Sequence, residues 1–419
     1  MTAEHTDPGA VVVVGGGHGG GTLVGLLRQL GHAAPVTLVG HEADAPYHRP
    51  PLSKKFHGDE LEQPLKPAPF YAEQDIALRL GAEVVAIDRD ARTVRLDDGS
   101  ELAYGTLVLA TGAAPRRLEV PGADLAGVLS LRTLDDARAL RDGLRPGRRL
   151  VIVGGGYVGL EVAAVARSQG LEVTVLERED RVLARVASPE LSSILGAHHE
   201  RHGTVVETGA DVASFAGDEH GAVRAVVLAD GREVPCDVAL VGVGAVPRDD
   251  LARAAGLACE GGILVDAETR TADPAILAIG DVTRRPLGGA GELVRMESIP
   301  SATEQAKQAA HVIVGRDVPA ADVPWFWSDQ FDLKLKIAGL LRGDRPAVVR
   351  GDPASGRFTL FHLDGDVVRA VESANAPAEF MAGKKLIQRG DRVDVARLAD
   401  VDVKLKDVVL SVPEPAASA

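Results

Sequence analysis

The chain carries the same punctuation twice. Leu150 to Glu161 reads LVIVGGGYVGLE, and Ala10 to Gly20 reads AVVVVGGGHGG. In each, branched apolar residues predict a buried strand. Glycines follow at G-x-G-x-x-G spacing: Gly154, Gly156 and Gly159 in one, Gly15, Gly17 and Gly20 in the other. A helix is expected after each loop, over Val162–Arg167 and Leu23–Leu30. Each is followed by a second apolar run (LEVTVLE, and Val36–Val39) with an acid at or just past its end, Glu177 and Glu42. The order constrains the fold. Glycines allow a tight turn and close backbone approach to a pyrophosphate, and a helix N-terminus offers it N–H groups and a favourable dipole. An acid about 20 residues on can accept hydrogen bonds from a ribose hydroxyl. One glycine-rich turn would mean little, but two complete units imply two bound dinucleotides. A flavin and a nicotinamide, held so that a hydride passes between them, are one such pair.

At 419 residues the chain exceeds one ordinary core, so two or three domains are expected. Hydrophobic residues make up 45% and mean hydropathy is +0.05, as in a soluble globular protein. No apolar run approaches the roughly 18 residues of a membrane span. MTAEHTDPGA lacks the basic start and apolar core of a secretory signal, which points to the cytoplasm. The net charge of −14 disfavours nucleic acid. From Trp325 to Ala419 the chain is balanced, with 14 basic and 14 acidic residues, so an acidic partner would dock more easily there. Cys236 and Cys259 form no C-x-x-C pair, which excludes a redox disulfide of adjacent cysteines and a cysteine-ligated iron–sulfur cluster. No metal site is expected. His198, His199 and His202 read as a solvated helix end, and His18 as pointing to solvent.

Pro46, Pro50 and Pro51 argue against a regular helix or central strand through 46–55 and stiffen a loop carrying Arg49 and Lys54. Strands are expected over Ala82–Asp88 and Arg92–Leu96, with a turn at Asp98-Gly99. Leu107–Pro115 reads as a buried strand ending in a turn. Thr133 is a helix cap ahead of Asp135 and Asp136. Further strands fall at Gly203–Glu207, Ala222–Leu228, Val238–Val243, Ile263–Asp266 and Ile276–Ile279, and Asp281 stands just past the last. Residues 301–314 read as helical. Both tryptophans, Trp325 and Trp327, precede strands at Leu333–Ile337, Ala347–Val349, Phe358–His362 and Val367–Val371. Helices at Phe380–Arg389 and Asp394–Ala399 complete an α+β segment.

Six stretches together carry a resemblance: PYHRPPLSK (46–54), LVLATGAAPR (107–116), LRTLDDA (131–137), VIVGGGYVGLEVAA (151–164), AIGDV (278–282) and PWFWSDQ (324–330). From Val11 to about Leu405 the chain resembles the FAD-containing, NADH-dependent ferredoxin reductases of the putidaredoxin-reductase type, which serve bacterial cytochrome P450s and Rieske-type oxygenases. The resemblance implies an α/β fold of two Rossmann-like dinucleotide-binding domains and a C-terminal α+β interface domain. FAD would be bound by 1–115 and 245–322, NAD by 116–244, and the interface domain would be 323–419. It implies a [2Fe–2S] ferredoxin as partner and a monomer or weak homodimer.

The resemblance assigns Gly15, Gly17, Gly19 and Gly20 to the FAD pyrophosphate, and His41 and Glu42 to the adenosine end. Val84 would contact adenine, and Arg49 and Lys54 the flavin side. Ala110, Thr111, Gly112, Arg132, Asp281 and Ile299 would complete that site. NADH would be held by Gly154, Gly156, Tyr157, Val158, Gly159, Glu161 and Glu177, with Arg185 at its phosphates and Gly244 lining the nicotinamide pocket. Lys54 is expected to pair with Glu161 beside the reactive edge of the ring, and Trp327 either flanks the flavin or fills the core of the third domain. Lys334, Lys336, Lys384 and Lys385 are candidate contacts for an acidic ferredoxin. Departures from the family are His41 in place of an acid, Ser301 in place of an asparagine, and Arg178 after Glu177, which would tolerate a 2′-phosphate. Rival readings are a reductase of rubredoxin or another small carrier, and an NADH-sensing flavoprotein resembling apoptosis-inducing factor.

Overall fold

Val11–Val14 is four valines in a row, all buried. A strand apolar on both faces must be covered on both, which favours the middle of a parallel sheet. In the computed structural model it lies there. The parallel order is Ile276–Ala278, Thr106–Leu109, Val11–Val14, Val36–Gly40 and Ile76–Leu80. Val11 and Val13 pack with Leu23, Leu27 and Ala306, from helices His18–Gln29 and Ile299–Ile313. Val12 and Val14 share the opposite core with Val84, Val94 and Leu96, from an antiparallel sheet of Val84–Asp88, Thr93–Leu96 and Glu101–Ala103. The strand alternation thus assigns one layer to each face.

The structure describes residues 7, 9–58, 60–287, 291–341 and 347–410, so most of the polar N-terminal run lies outside the described residues. The chain forms two compact units. One comprises Met1–Arg116, Leu131–Arg138 and Gly244–Ala321, and the other Arg117–Ser130, Ala139–Val243 and Asp322–Ala419. The second repeats the parallel theme in the order Val205–Thr208, Glu172–Glu177, Arg149–Val153, Val238–Val241 and Val128–Leu129. It also holds a five-stranded antiparallel sheet in the order Trp325–Gln330, Leu333–Gly339, Val367–Ala374, Arg357–Asp364 and Ala347–Asp352. Helix Pro377–Arg389 places Phe380 and Leu386 in the core beside Phe361 and Val371. Among the described residues no helix is long and apolar enough to cross a membrane.

One buried carboxylate ties these parts of the second unit together. Glu372 is fully buried on Val367–Ala374. It accepts from the Ser188 backbone N–H (3.0 Å), from Ser188 Oγ (2.5 Å) and from His362 Nε2 (2.9 Å). Ser188 Oγ in turn caps helix Pro189–Arg201 through Leu191 N–H at 3.1 Å.

Several elements differ from expectation for identifiable reasons. The helices after the glycine loops begin at His18 and Tyr157, earlier than the apolar runs suggest, because the third glycine of each motif is a helical residue. Proline at a helix's first position has no N–H to lose, and Pro51 opens a one-turn helix, Pro51–Lys54, inside the proline loop. The expected strand Leu107–Pro115 breaks after Leu109, and Ala113–Pro115 pairs instead with Ala245–Pro247. Trp325–Gln330 and Val212–Gly217 are strands that periodicity did not mark.

Removing a buried acceptor leaves its donors unsatisfied, at about 1–3 kcal/mol for each buried group. Glu372→Ala, which strips the acceptor from three donors, should therefore lower unfolding free energy by several kcal/mol, read as a lower urea midpoint. Glu372→Gln, which keeps one acceptor, should lose less.

Candidate functional site

In the first unit, Gly15 ends its strand at φ +121, and a Cβ there would lie 2.1 Å from the Ala110 carbonyl oxygen. A Cβ on Gly20 would meet the Gly15 oxygen at 2.0 Å. Only glycine lets strand, loop and helix close this far. Gly17 caps helix His18–Gln29 without a side chain, and no acid stands in the helix's first turn. The N–H groups and positive dipole end are thus left for an anion. His18 is half-buried, not solvent-directed. Its ring is 5.0 Å from that of His48, its Nδ1 is buried with no hydrogen-bond partner, and burial pushes its pKa down to about 4.

Around this loop the proline segment folds into a polar brace. Arg49 donates to Glu42 Oε1 (2.7 Å) and to the Arg132 carbonyl, and Tyr47 donates to Glu42 Oε2 (2.5 Å) while accepting from Leu134 N–H (2.9 Å). Burial alone would raise the Glu42 pKa, but Arg49 and Tyr47 outweigh it and hold it below the carboxylate range. Arg132 pairs with Asp281 at 2.8 Å, and the Gly280 N–H before Asp281 is held by Gln305 Oε1 at 3.1 Å. Gly112, at φ +67, lies beside the Arg132 guanidinium, and Thr111 Oγ1 donates to the Arg248 carbonyl (2.7 Å). Thr133 Oγ1 accepts from Asp136 N–H, as its predicted capping role requires. Val84 is buried, Ile299 opens its helix half-buried, and His41 is exposed 4.0 Å from Glu83. Lys54 is the last residue of its one-turn helix. Gly244, at φ +106, is exposed and accepts from the Arg116 N–H.

The second unit repeats the device. A Cβ on Gly154 (φ +106) would lie 2.5 Å from the Gly242 oxygen, and one on Gly159 would lie 2.8 Å from the Gly154 oxygen. Gly156 caps helix Tyr157–Ser168, again with no acid in the first turn. Glu177 Oε2 accepts from the Gly155 N–H (2.6 Å) and Oε1 from the Glu179 N–H (2.9 Å). Carboxylate oxygens keep further lone pairs for a ribose. Arg178 donates to Glu179, and Arg185 and Val158 are exposed. Tyr157 packs edge-on to Phe326 at 4.9 Å, and burial drives its unpartnered hydroxyl well above the ordinary phenol pKa.

Glu161 is 5% exposed. Ser328 Oγ donates to Glu161 Oε1 at 2.6 Å, and Gln330 Nε2 donates to Ser328 Oγ at 2.9 Å. His199 Nε2 lies 2.8 Å from Gln330 Oε1. The amide oxygen can only accept, so Nε2 carries the proton and Nδ1, buried and without a partner, does not. Burial pushes the His199 pKa down to about 4. The solvated reading is therefore corrected for two of the three histidines: His199 is fully buried and His198 is 6% exposed, while His202 is exposed as expected. Sequence reasoning quoted Tyr47, Ser328 and Gln330 within motifs but gave them no role. Of the two tryptophans, Trp325 packs against the C-terminal core, while half-buried Trp327 stands across from Lys336.

Each glycine loop thus fits a dinucleotide, with backbone at contact distance and a free helix end. Comparison with known proteins agrees. Residues 9–306 match the family described as pyridine nucleotide-disulphide oxidoreductase, and 325–409 match the reductase C-terminal domain. A probable ferredoxin reductase, CtmF, of Castellaniella defragrans is 47% identical over 399 residues, covering 94% of this chain and 97% of that protein. The ferredoxin–NAD(+) reductase component of the biphenyl dioxygenase system of Paraburkholderia xenovorans is 39% identical, covering 96% of this chain and 99% of its own. The crystal structure of a covalent putidaredoxin reductase–putidaredoxin complex matches with a TM-score of 0.93 at 39% identity, covering 96% and 98%.

Gly15→Ala should abolish dinucleotide retention at the first loop, read as loss of the flavin absorbance expected of the purified chain. His199 has a depressed pKa in the fold, so the unfolded chain binds its proton first. Its contribution is present above about pH 6.5 and is lost as pH falls toward 4. The difference is on the order of 3 kcal/mol. His199→Gln should flatten the fall in unfolding temperature across that window.

Proposed function

This chain belongs to the pyridine nucleotide-disulphide oxidoreductase family and ends in a reductase C-terminal domain, and from that premise we propose the reaction it carries out. It is an FAD-dependent NADH:ferredoxin oxidoreductase, passing electrons from NADH through FAD to a [2Fe–2S] ferredoxin that feeds a cytochrome P450 or Rieske-type oxygenase. The observation that carries this reading is the duplicated cradle, one in each unit, within a chain matching ferredoxin reductases along nearly its whole length. Bound FAD accepts two electrons as a hydride and releases them singly, which is the conversion a one-electron acceptor needs.

The residues divide the work. The first loop, with Arg132 and Asp281, would hold FAD, and the second, with Glu177, would hold NADH. A carboxylate there suits a ribose 2′-OH and repels a 2′-phosphate. Arg178 is turned to Glu179, which supports NADH over NADPH. Lys54, Glu161 and Trp327 are the side chains we propose at the reacting ring. Ser328 and Gln330 fix the orientation of Glu161. Cys236 is buried with its thiol pushed up to about 11, and Cys259 is raised as well, so neither is poised as a thiolate for disulfide chemistry. For the ferredoxin, exposed Lys385 is better placed than Lys334, which pairs with Asp329, and than Lys384, which is tied to Asp322 and lies over the Trp325 ring. A cytoplasmic location and a monomeric or weakly dimeric state belong to the same proposal.

Stopped-flow reduction by NADH under anaerobic conditions should bleach the flavin. Reduction of a cytochrome c reporter should then require added [2Fe–2S] ferredoxin. Glu161→Ala should slow bleaching by about 100-fold, the scale of a misplaced reacting geometry, and Ser328→Ala by less. Equal rates in all three proteins would remove Glu161 from the mechanism, and carrier-independent reporter turnover would overturn the ferredoxin reading.

A further inference from the structure

Three ligand-bearing side chains converge in the second unit at a place the redox reaction does not use. His198 and His202 stand one turn apart at the end of helix Pro189–Arg201, His202 being its C-terminal cap. Asp332 is the second residue of the two-residue turn joining Trp325–Gln330 to Leu333–Gly339. The first, Phe331, adopts φ +55. Its ring stacks on His202 at 4.0 Å and meets His198 edge-on at 5.7 Å. This wedge seats Asp332 against the histidines. One nitrogen from each ring and one Asp332 oxygen all lie within 4.8 Å of one another.

On His202 the proton is already placed for ligation. His202 Nδ1 lies 2.8 Å from the His198 carbonyl, which can only accept. Nδ1 therefore carries the proton and Nε2 presents its lone pair, the outer bond that metal-binding histidines use. His198 Nε2 is buried and makes no hydrogen bond, although Asp332 Oδ1 is only 2.9 Å away. Arg201 can only donate, so with Nδ1 accepting from it the metal-free His198 carries its proton on Nε2, facing Asp332, and a cation would displace that proton.

We propose that His198, His202 and Asp332 form a binding site for a divalent first-row transition metal of the Zn²⁺ type, with water completing the shell. Two imidazoles and one carboxylate favour such an ion over Ca²⁺ or Mg²⁺, which prefer all-oxygen shells. Metal–nitrogen bonds of about 2.0–2.1 Å require the donors to draw inward. Exposed His202 and Asp332 are free to do this. Arg201, also exposed, has its guanidinium 3.3 Å from His198 Nδ1. It turns to solvent on binding, because ligation through Nε2 puts the ring proton on Nδ1. The bound ion clamps the helix end to the hairpin.

The test uses the flavin-loaded full chain, free of a polyhistidine tag and dialysed against chelator. Calorimetric titration with ZnCl₂ should show one saturable equivalent with micromolar or tighter affinity, and Zn²⁺ should raise the unfolding temperature. CoCl₂ should produce a ligand-field absorption band. His202→Ala and Asp332→Asn, both at exposed positions, should each weaken Zn²⁺ binding at least about tenfold and leave the rate of NADH-driven flavin reduction unchanged. Absence of saturable Zn²⁺ binding, or unchanged affinity in the double variant, would overturn the site.

Discussion

Two backbone near-collisions organise this protein. Gly15 and Gly154 turn from strand into loop with positive φ, so close to the carbonyls of Ala110 and Gly242 that no side chain fits. Everything downstream follows from that closeness. It brings the helix beginning to the end of its strand, aims unpaired N–H groups at one point, and leaves a surface where polar backbone is the wall. A dinucleotide's pyrophosphate can approach such a wall because no Cβ stands in the way. The two parallel sheets serve to hold these turns rigid, and their valine-rich central strands do so by being buried on both faces.

The polar interior of the second unit answers a different constraint. Burying a carboxylate is costly unless donors surround it. Glu372 has three donors, while Glu161 is held by Ser328, with Gln330 and His199 behind. Each link in the second chain fixes the donor–acceptor role of the next, ending at a histidine nitrogen with no partner. Such a chain specifies one arrangement of side chains, because any rotation leaves a buried group unsatisfied.

Local patterns were legible wherever one interaction dominates. The glycine spacing, the Thr133 cap and the strand-terminal acid at Glu177 each state their own geometry, and each takes the expected local form. What a linear reading misses is partnership across sequence distance. His198 and His199 looked solvated because their neighbours are polar, yet Phe331 and Gln330, more than 120 residues away, bury them. Trp325–Gln330 hid its strand character behind bulky residues on both faces. The proline run concealed a helical turn because Pro51 sits at the one position where proline is harmless. Tyr47 showed no sign of its bridging role, since that role exists only once Glu42 and Leu134 are brought to it.

The double use of Glu177 has a bearing on coenzyme engineering. Its two carboxylate oxygens already grip the Gly155 and Glu179 amides, so the group that would read the sugar also fastens the loop beneath it. Exchanging this acid for a neutral or basic residue to admit a phosphorylated coenzyme would release both amides at once. A redesign toward that coenzyme has to supply a replacement acceptor for Gly155 before it alters recognition.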